Sequence, residues 1–269
     1  MTTATLRVLG LAALLGAGCR HALPYLDPRE PFYSAAYAVA RPVGSSLRVV
    51  TFNIEYALRV DQAIAALREH PKLRDADVIA LQEMDAPGTD RIARALGLNY
   101  VYYPGSLHPK YDRDVGNAIL TPWPIESSFK LPLPHRSRIL GQARAAVGAI
   151  VLVGDHRLRV YSVHLGSPFG ASPGQRREQL AVVLCHAREG QGPVVVAGDL
   201  NSSSLGARLE ADGYSWLTRG VGATTRRYSF DHVFVRGLPF VAAEAGAARD
   251  VKDASDHRPV WAELQVTVE

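Results

Sequence analysis

The sequence predicts an α/β protein in which two packed, mostly antiparallel sheets are flanked by helices. Two observations predict it. Apolar, β-prone runs recur from Leu47 to Val266 and outnumber the helical segments between them. A single parallel sheet would need a crossover, usually helical, between every pair of strands. No internal linker, repeat or low-complexity segment divides this region, so residues 47–269 read as one domain.

The elements follow in chain order. Leu47 to Asn53 is a strand, and Asp61, a good N-cap, opens a helix to Glu69 that Pro71 ends. Asp77 to Glu83 is a buried strand, followed by a helix over Asp90 to Leu96 that stops at Gly97. Strands follow near Tyr100–Tyr103, Ala118–Leu120 and Ile125–Leu131. Ala143–Val153 and Arg157–His164 flank Gly154-Asp155-His156, the signature of a hairpin turn. Pro173 starts the longest helix, to about Glu189, in which Cys185 reads as a buried thiol. Val194–Ala197 is a short, wholly apolar central strand, and Phe230–Val235 and Arg258–Val266 complete the set.

The segment ahead of this region is different. Arg7 precedes the apolar run from Val8 to Leu15, and Gly16-Ala17-Gly18 leads into Cys19. The run is far shorter than the roughly 20 residues of a membrane-spanning helix, so residues 1–18 read as an export signal. The small-small-Cys ending resembles a bacterial lipoprotein box, which implies lipidation of Cys19 as the first mature residue. The implied location is the bacterial cell envelope, lipid-anchored or secreted into the periplasm. Residues 20–46 carry four prolines among aromatics and read as a tether, partly packed on the domain through those aromatics, since prolines at that density forbid a long helix.

Composition excludes little. In 269 residues, 47% are hydrophobic and 21% charged, which rules out disorder throughout. The net charge of +4 without a Lys/Arg tract fits a polyanionic substrate only weakly.

Five scattered segments carry the chemistry. TFNIEY around Asn53, ALQEMD around Glu83, YSVHLG around His164 and VAGDLNS around Asp199 and Asn201 each follow an apolar run. ASDHRPV, with Asp256 and His257, opens one instead. Strand ends gather polar groups from distant parts of a chain into one crevice. A carboxylate such as Glu83 at the end of a buried strand must be paired, and Mg²⁺ is a hard cation suited to it. Asp199 and Asn201 alternate with an apolar residue, so an extended backbone turns both to one side. Asp199 could then accept a proton from water while Asn201 fixes that water. Asp256 is placed to join Glu83, and His257, able to carry charge near neutral pH, to hold a phosphate. An Asx turn at Asp199, a Glu83–Arg91 pair, and an Asp231 pair with Arg226 or Arg227 are the purely structural alternatives.

In order and spacing these segments resemble the endonuclease/exonuclease/phosphatase superfamily. That superfamily includes pancreatic-type deoxyribonucleases, abasic-site endonucleases, neutral sphingomyelinases and inositol polyphosphate phosphatases. The resemblance runs from Leu47 to about Val266. It implies a four-layer α/β/β/α sandwich and a Mg²⁺-dependent attack of water on phosphorus, with Mn²⁺ as a substitute ion. By position it implies metal-side roles for Asn53, Glu83 and Asp256, and a water-activating role for Asp199 with Asn201. It implies a phosphate-side role for His257, oriented by Asp231. His164-Leu-Gly-Ser looks like the deoxyribonuclease and sphingomyelinase branches. Asp112 and Asp114 are the acids considered as partners for His164. Arg144 and Asn117 are the expected substrate contacts, and His232 stands where an aromatic residue is common.

The function expected is therefore an exported hydrolase of phosphodiesters, in nucleic acid or a phospholipid headgroup. Substrate selection would lie in the loops at 107–114, 132–141 and 167–174. No protein partner is legible, and the membrane would be met through the lipid anchor. A non-catalytic envelope protein on the same fold would be favoured by a missing metal acid or phosphate histidine. Glu83, Asp199, Asp256 and His257 are all present.

Overall fold

The computed structural model describes residues 21–39, 41–251 and 253–267. The expected export signal and Cys19 lie outside the described residues. Strand β1 (Leu23–Pro24) and β2 (Tyr33–Ala35) precede the long β3 (Ser46–Asn53), α1 (Val60–Glu69), β4 (Val78–Met84) and α2 (Ala86–Leu96). A hairpin of β5 (Asn99–His108) and β6 (Arg113–Thr121) follows, then β7 (Ile125–Pro132), β8 (Ala145–Val153) and β9 (His156–His164). The chain continues through α3 (Pro173–Glu189), β10 (Val194–Asp199), α4 (Gly206–Ala211) and β11 (Ser215–Trp216). It closes with β12 (Asp231–Arg236), β13 (Phe240–Ala247) and β14 (Val260–Val266).

One sheet has the order β1-β5-β6-β4-β3-β14-β13, with β2 also on β5; the other runs β11-β12-β10-β9-β8-β7. Among the described residues, only β3 with β4, and β9 with β10, are parallel. These are the two pairs joined through α1 and α3, because parallel neighbours need a crossover and antiparallel ones do not. The two-residue turn Gly154-Asp155 joins β8 to β9, with Gly154 at φ 59° as such hairpins require.

Side-chain alternation builds the four layers. Leu47 and Val49 of β3, Val78 and Ala80 of β4, and Val195 and Ala197 of β10 fill the space between the sheets. Val50, Phe52, Ile79 and Leu81 face outward to Ala63 and Leu67 of α1 and Ile92 of α2. Val194 and Val196 face Leu180, Val183 and Leu184 of α3 on the other side. Strands buried on both faces read as unbroken apolar runs, as β4 and β10 do.

Several local expectations are corrected. Asp61 is not the N-cap of α1: Arg59 holds that position without a side-chain cap, and Asp61 sits in the first turn, paired with Arg91. Helix α2 starts four residues before Asp90, capped by Asp85, whose side chain accepts from Gly88 N at 2.7 Å. Cys185 faces solvent, because the inward face of α3 is already filled by Leu180, Val183, Leu184 and Ala187. The proline-rich segment pairs with the first sheet, Leu23 opposite Leu107 and Tyr33 opposite Tyr102. The loop expected at 107–114 is the end of the β5–β6 hairpin, with His108 opposite Arg113.

Candidate active site

Moving along the inter-sheet layer towards the C-terminal ends of β3, β4, β9 and β10, apolar contacts give way to hydrogen bonds. Thr51 Oγ1 bonds Gln82 Oε1 at 3.2 Å, and Gln82 Nε2 donates to Ser162 Oγ at 3.0 Å. Ser162 Oγ in turn donates to the Leu81 carbonyl at 3.0 Å. Asn117 Nδ2 bridges from β6 to the carbonyls of Ala145 at 2.9 Å and Ser162 at 3.1 Å in the opposite sheet. Its amide hydrogens are thus committed to backbone, which removes Asn117 as a substrate donor and makes it a clamp between the sheets.

Register then gathers the acids and imidazoles. Asp199 pairs in the sheet with His164 on one side and Asp231 on the other. Residues directly opposite in a sheet share a face, so three strands deliver three ionisable groups to one spot. Gly198 permits this approach, since a Cβ there would stand 1.9 Å from the Val163 carbonyl oxygen.

Asp199 is the hub. Its Oδ2 receives Asn53 Nδ2 at 3.2 Å and Asn201 Nδ2 at 3.3 Å, with His164 Nε2 at 3.5 Å and His257 Nε2 at 3.8 Å. Its Oδ1 accepts from Asn201 N at 2.7 Å. That last bond is an Asx turn, and Asn201 has φ 49° instead of an extended backbone. The structural alternative and the functional placement therefore coexist. Asn201 also anchors to the Leu165 carbonyl at 3.0 Å.

His257 Nδ1 lies 2.8 Å from Asp231 Oδ2, which also accepts from Thr224 Oγ1 at 2.6 Å. Asp231 thus pairs with His257, while Arg226 and Arg227 face solvent. Burial alone would discharge the imidazole; Asp231, by charge and hydrogen bond, with Asp199 and Asp256, outweighs it and holds His257 up at about 10. Burial, reinforced by the Asp231 charge and opposed by His257, lifts Asp199 to about 7.

Arg144 precedes β8 and turns inward. Its guanidinium donates to His164 Nδ1 at 3.1 Å and lies 3.9 Å from Glu83. Arginine can only donate, so His164 Nδ1 accepts and the ring proton sits on Nε2, facing Asp199. Burial, with the charges of Arg144 and His257, keeps His164 neutral, well below its ordinary range. Asp199, with Glu83 at 3.8 Å, surrounds this ring. Asp114, one of the acids expected to pair with it, accepts from Tyr25 Oη at 2.8 Å instead.

Glu83 is buried and has φ 55°, at a register shift in the β4–β6 pairing between Leu81 and Met84. The irregularity takes it off the strand's alternation, a strained conformation of the kind found at functional sites. Burial raises its pKa, and the neighbouring Asp256 raises it further against Arg144 and His257. A buried carboxylate with the charge of Asp256 beside it favours a bound cation. The oxygens of Glu83, Asp256 and Asn53 are the hard donors a Mg²⁺-sized ion takes, so the residues fit such an ion. Asn53 Oδ1 meanwhile accepts from Glu55 N at 3.1 Å, and Asp256 is exposed. Asp199, Asp231 and His257 also bring ligand atoms within 4.8 Å of one another. His257 Nδ1 is engaged by Asp231, which leaves Nε2 as the ring atom facing Asp199.

Sequence reasoning missed the rim. Tyr56, His108 and Tyr111 cluster with ring centroids 4.8–5.0 Å apart beside the crevice. Tyr56 belongs to the TFNIEY segment, and its aromatic character was the available signal. His232 faces away: Nδ1 accepts from Trp216 Nε1 at 3.2 Å and Nε2 meets the Ser229 carbonyl at 3.2 Å, a packing role.

The sequence profile of the Endonuclease/Exonuclease/phosphatase family matches residues 50–257, from β3 to the imidazole that faces Asp199. The chain belongs to that family. A UPF0294 protein of Vibrio cholerae is 38% identical over 96 residues, covering 31% of this chain and 32% of that protein. The chain thus matches about a third of the length of that relative. A UPF0294 protein of Photorhabdus laumondii is 29% identical over 228 residues, 80% of this chain and 82% of the relative. Among solved structures, an endonuclease/exonuclease/phosphatase from Beutenbergia cavernae aligns with TM-score 0.62 at 24% identity, covering 82% of this chain and 72% of that one. D. rerio TDP2, complexed with a single-strand DNA product, aligns with TM-score 0.62 at 17% identity over 82% and 99% of the two chains. These structural likenesses concern the fold.

Proposed function

We propose that this protein is an exported, Mg²⁺-dependent phosphodiesterase that hydrolyses its substrate by in-line attack of water. Nucleic acid and phospholipid headgroups are the two substrate classes. The observation that carries the reading is the Asp231–His257–Asp199 alignment, a charged imidazole facing a buried carboxylate of raised pKa. A phosphodiester is anionic and resists attack, and a divalent cation when bound supplies charge neutralisation at its oxygens. Glu83, Asp256 and the Asn53 amide oxygen would hold that ion, with Mn²⁺ as a substitute.

The remaining work belongs to the chain's own groups. Asp199 takes the proton of the attacking water, while Asn201 and the neutral His164, whose Nε2 proton points at Asp199, steady both. His257, kept charged by Asp231, stabilises the phosphate oxygens as negative charge develops. Arg144 adds a fixed positive charge behind His164. Nucleic acid gains support from the single-strand DNA product bound by D. rerio TDP2. Arg136 and Arg138 are exposed on the loop before β8, where an extended polyanion could meet them. The Cys19 leader supports export and lipid anchoring at the cell envelope.

The test is hydrolysis of plasmid DNA, RNA, sphingomyelin, an inositol phosphate and an aryl phosphodiester, with Mg²⁺ or EDTA. Activity that is lost with EDTA and in His257→Ala supports the reading. Equal turnover in EDTA would defeat the metal assignment. Mass analysis of the mature N-terminus tests lipidation of Cys19, and an intact Met1 chain would count against export.

A further inference from the structure

The loops beside the crevice carry large apolar side chains out into solvent. Phe169 is 85% exposed, Ile139 62% and Leu23 58%. Single apolar residues are ordinary on a surface, but these three belong together. Ala22 N donates to the Leu140 carbonyl at 2.8 Å, and Arg138 N donates to the Gly170 carbonyl at 3.0 Å. Leu23, Ile139 and Phe169 each stand next to one end of these bonds, so three distant segments form one surface. It borders the active site, because the loop of Ile139 runs into Arg144 and the loop of Phe169 follows His164.

Both loops are fixed from beneath. Buried Arg176 donates to the Ala171 carbonyl at 2.7 Å, and Gln179 Nε2 donates to the Pro134 carbonyl at 2.9 Å. Gln179 Oε1 accepts from Gly166 N at 2.8 Å, so one side chain of α3 ties the two loops to each other. The interior thus holds apolar tips in water, an exposure that an apolar partner would relieve.

Charge narrows the partner. Residues 21–26, 133–143 and 165–177 contain no Asp or Glu, while Arg136, Arg138 and Arg177 are exposed. The acids that follow, Asp27 and Glu178, are paired with Arg29 and His135. Apolar tips set among arginines match a bilayer with anionic headgroups, whose acyl chains take the tips and whose phosphates take the guanidiniums. A nucleic acid would engage the arginines and leave the aliphatic Ile139 and Leu23, which offer a base no aromatic face, in water. The path of the chain agrees. A Cβ on Gly141 would stand 3.3 Å from His21 Nδ1, and Cys19 precedes His21 by two residues, a span of at most about 7 Å. A lipid on Cys19 would therefore leave the chain beside this same surface.

We infer that this surface docks on an anionic phospholipid bilayer and turns the mouth of the crevice towards it. The contact depends neither on lipidation nor on hydrolysis, and its test reads neither. Phe169→Trp and Val241→Trp are compared in the full chain, bound to vesicles of phosphatidylglycerol and phosphatidylcholine with brominated acyl chains. Val241 is 76% exposed on β13, at the edge of the first sheet away from β1. Whatever else holds the chain to the vesicle, bromine quenches a tryptophan only where that side chain enters the bilayer. The expected result is loss of the added emission in Phe169→Trp and none in Val241→Trp. Arg136→Gln with Arg138→Gln should weaken binding to these vesicles about tenfold, leave binding to phosphatidylcholine alone unchanged, and keep the melting temperature. A bound chain in which Phe169→Trp is quenched no more than Val241→Trp overturns the inference, as does a chain that binds no vesicle. Protection of the two arginines by a single-stranded oligonucleotide in that case would assign the surface to a polyanion instead.

Discussion

His257 would ordinarily lose its proton near neutrality, and its neighbours decide otherwise. Asp231 holds the ring in place through Nδ1 and keeps it charged, so Nε2 faces Asp199 as a donor. Two predictions belong at this scale. His257→Ala and Asp199→Asn should each lower turnover about 10²–10⁴-fold, the usual range for a placed proton-transfer group. Because Asp199→Asn also removes a buried charge, its melting temperature at pH 8 should equal or exceed the wild type, and a large drop would mark Asp199 as structural. The second prediction concerns pH. Asp199 must be ionised to accept a proton, so the rate should climb as pH rises through about 7; it should fall as His257 discharges near about 10. A bound cation adds positive charge beside both groups and moves both limbs to lower pH. Asp231→Asn removes the carboxylate that sustains the imidazolium and helps to raise Asp199, so both limbs should move further down, the alkaline limb the more because it also loses the Asp231 hydrogen bond. A profile that keeps its alkaline limb in Asp231→Asn would separate His257 from the pH response.

At the scale of elements, the site depends on how strands end and how sheets are joined. Asn117 reaches from β6 to carbonyls on β8 and β9, so its loss removes two buried hydrogen bonds that join the sheets. Asn117→Ala should cost about 1–3 kcal/mol in denaturant unfolding while the KM for an aryl phosphodiester barely changes. A raised KM with intact stability would restore the substrate-contact role expected from sequence. Strands β4 and β10 were legible because residues buried on both faces leave an unmistakable apolar run. Strand β13, rich in Ala and Gly at the sheet edge, was not, since small residues carry little β-preference. The two-residue β11 and the six-residue α4 are too short to show a period.

At the scale of the molecule, the fold buries Glu83 beside the exposed carboxylate of Asp256. Glu83 and Asp256 repel each other there, and a cation relieves that repulsion. Mg²⁺ at about 100 times its dissociation constant should therefore stabilise the fold by about 2.7 kcal/mol, read as a rise in melting temperature that EDTA reverses. Glu83→Gln should abolish that rise. An unchanged melting curve in the wild type would move the cation site away from Glu83.

The linear chain by itself determined the central strands, the longest helix and the inventory of chemistry. Unbroken apolar runs placed the central strands, Pro173 and Gly190 bounded α3, and polar residues at strand ends marked Asn53, Glu83, His164, Asp199 and His257. Tertiary structure decided which of those groups meet. Sheet register set Asp199 between His164 and Asp231, residues separated by up to 67 positions in the chain, and no local pattern encodes that pairing. The register shift in β4 redirected Glu83, and the inward turn of Arg144 made it the partner of His164 instead of a free surface charge. Side-chain type is written locally, whereas distance and solvation, which set pKa and reactivity, exist only once remote strands are packed together.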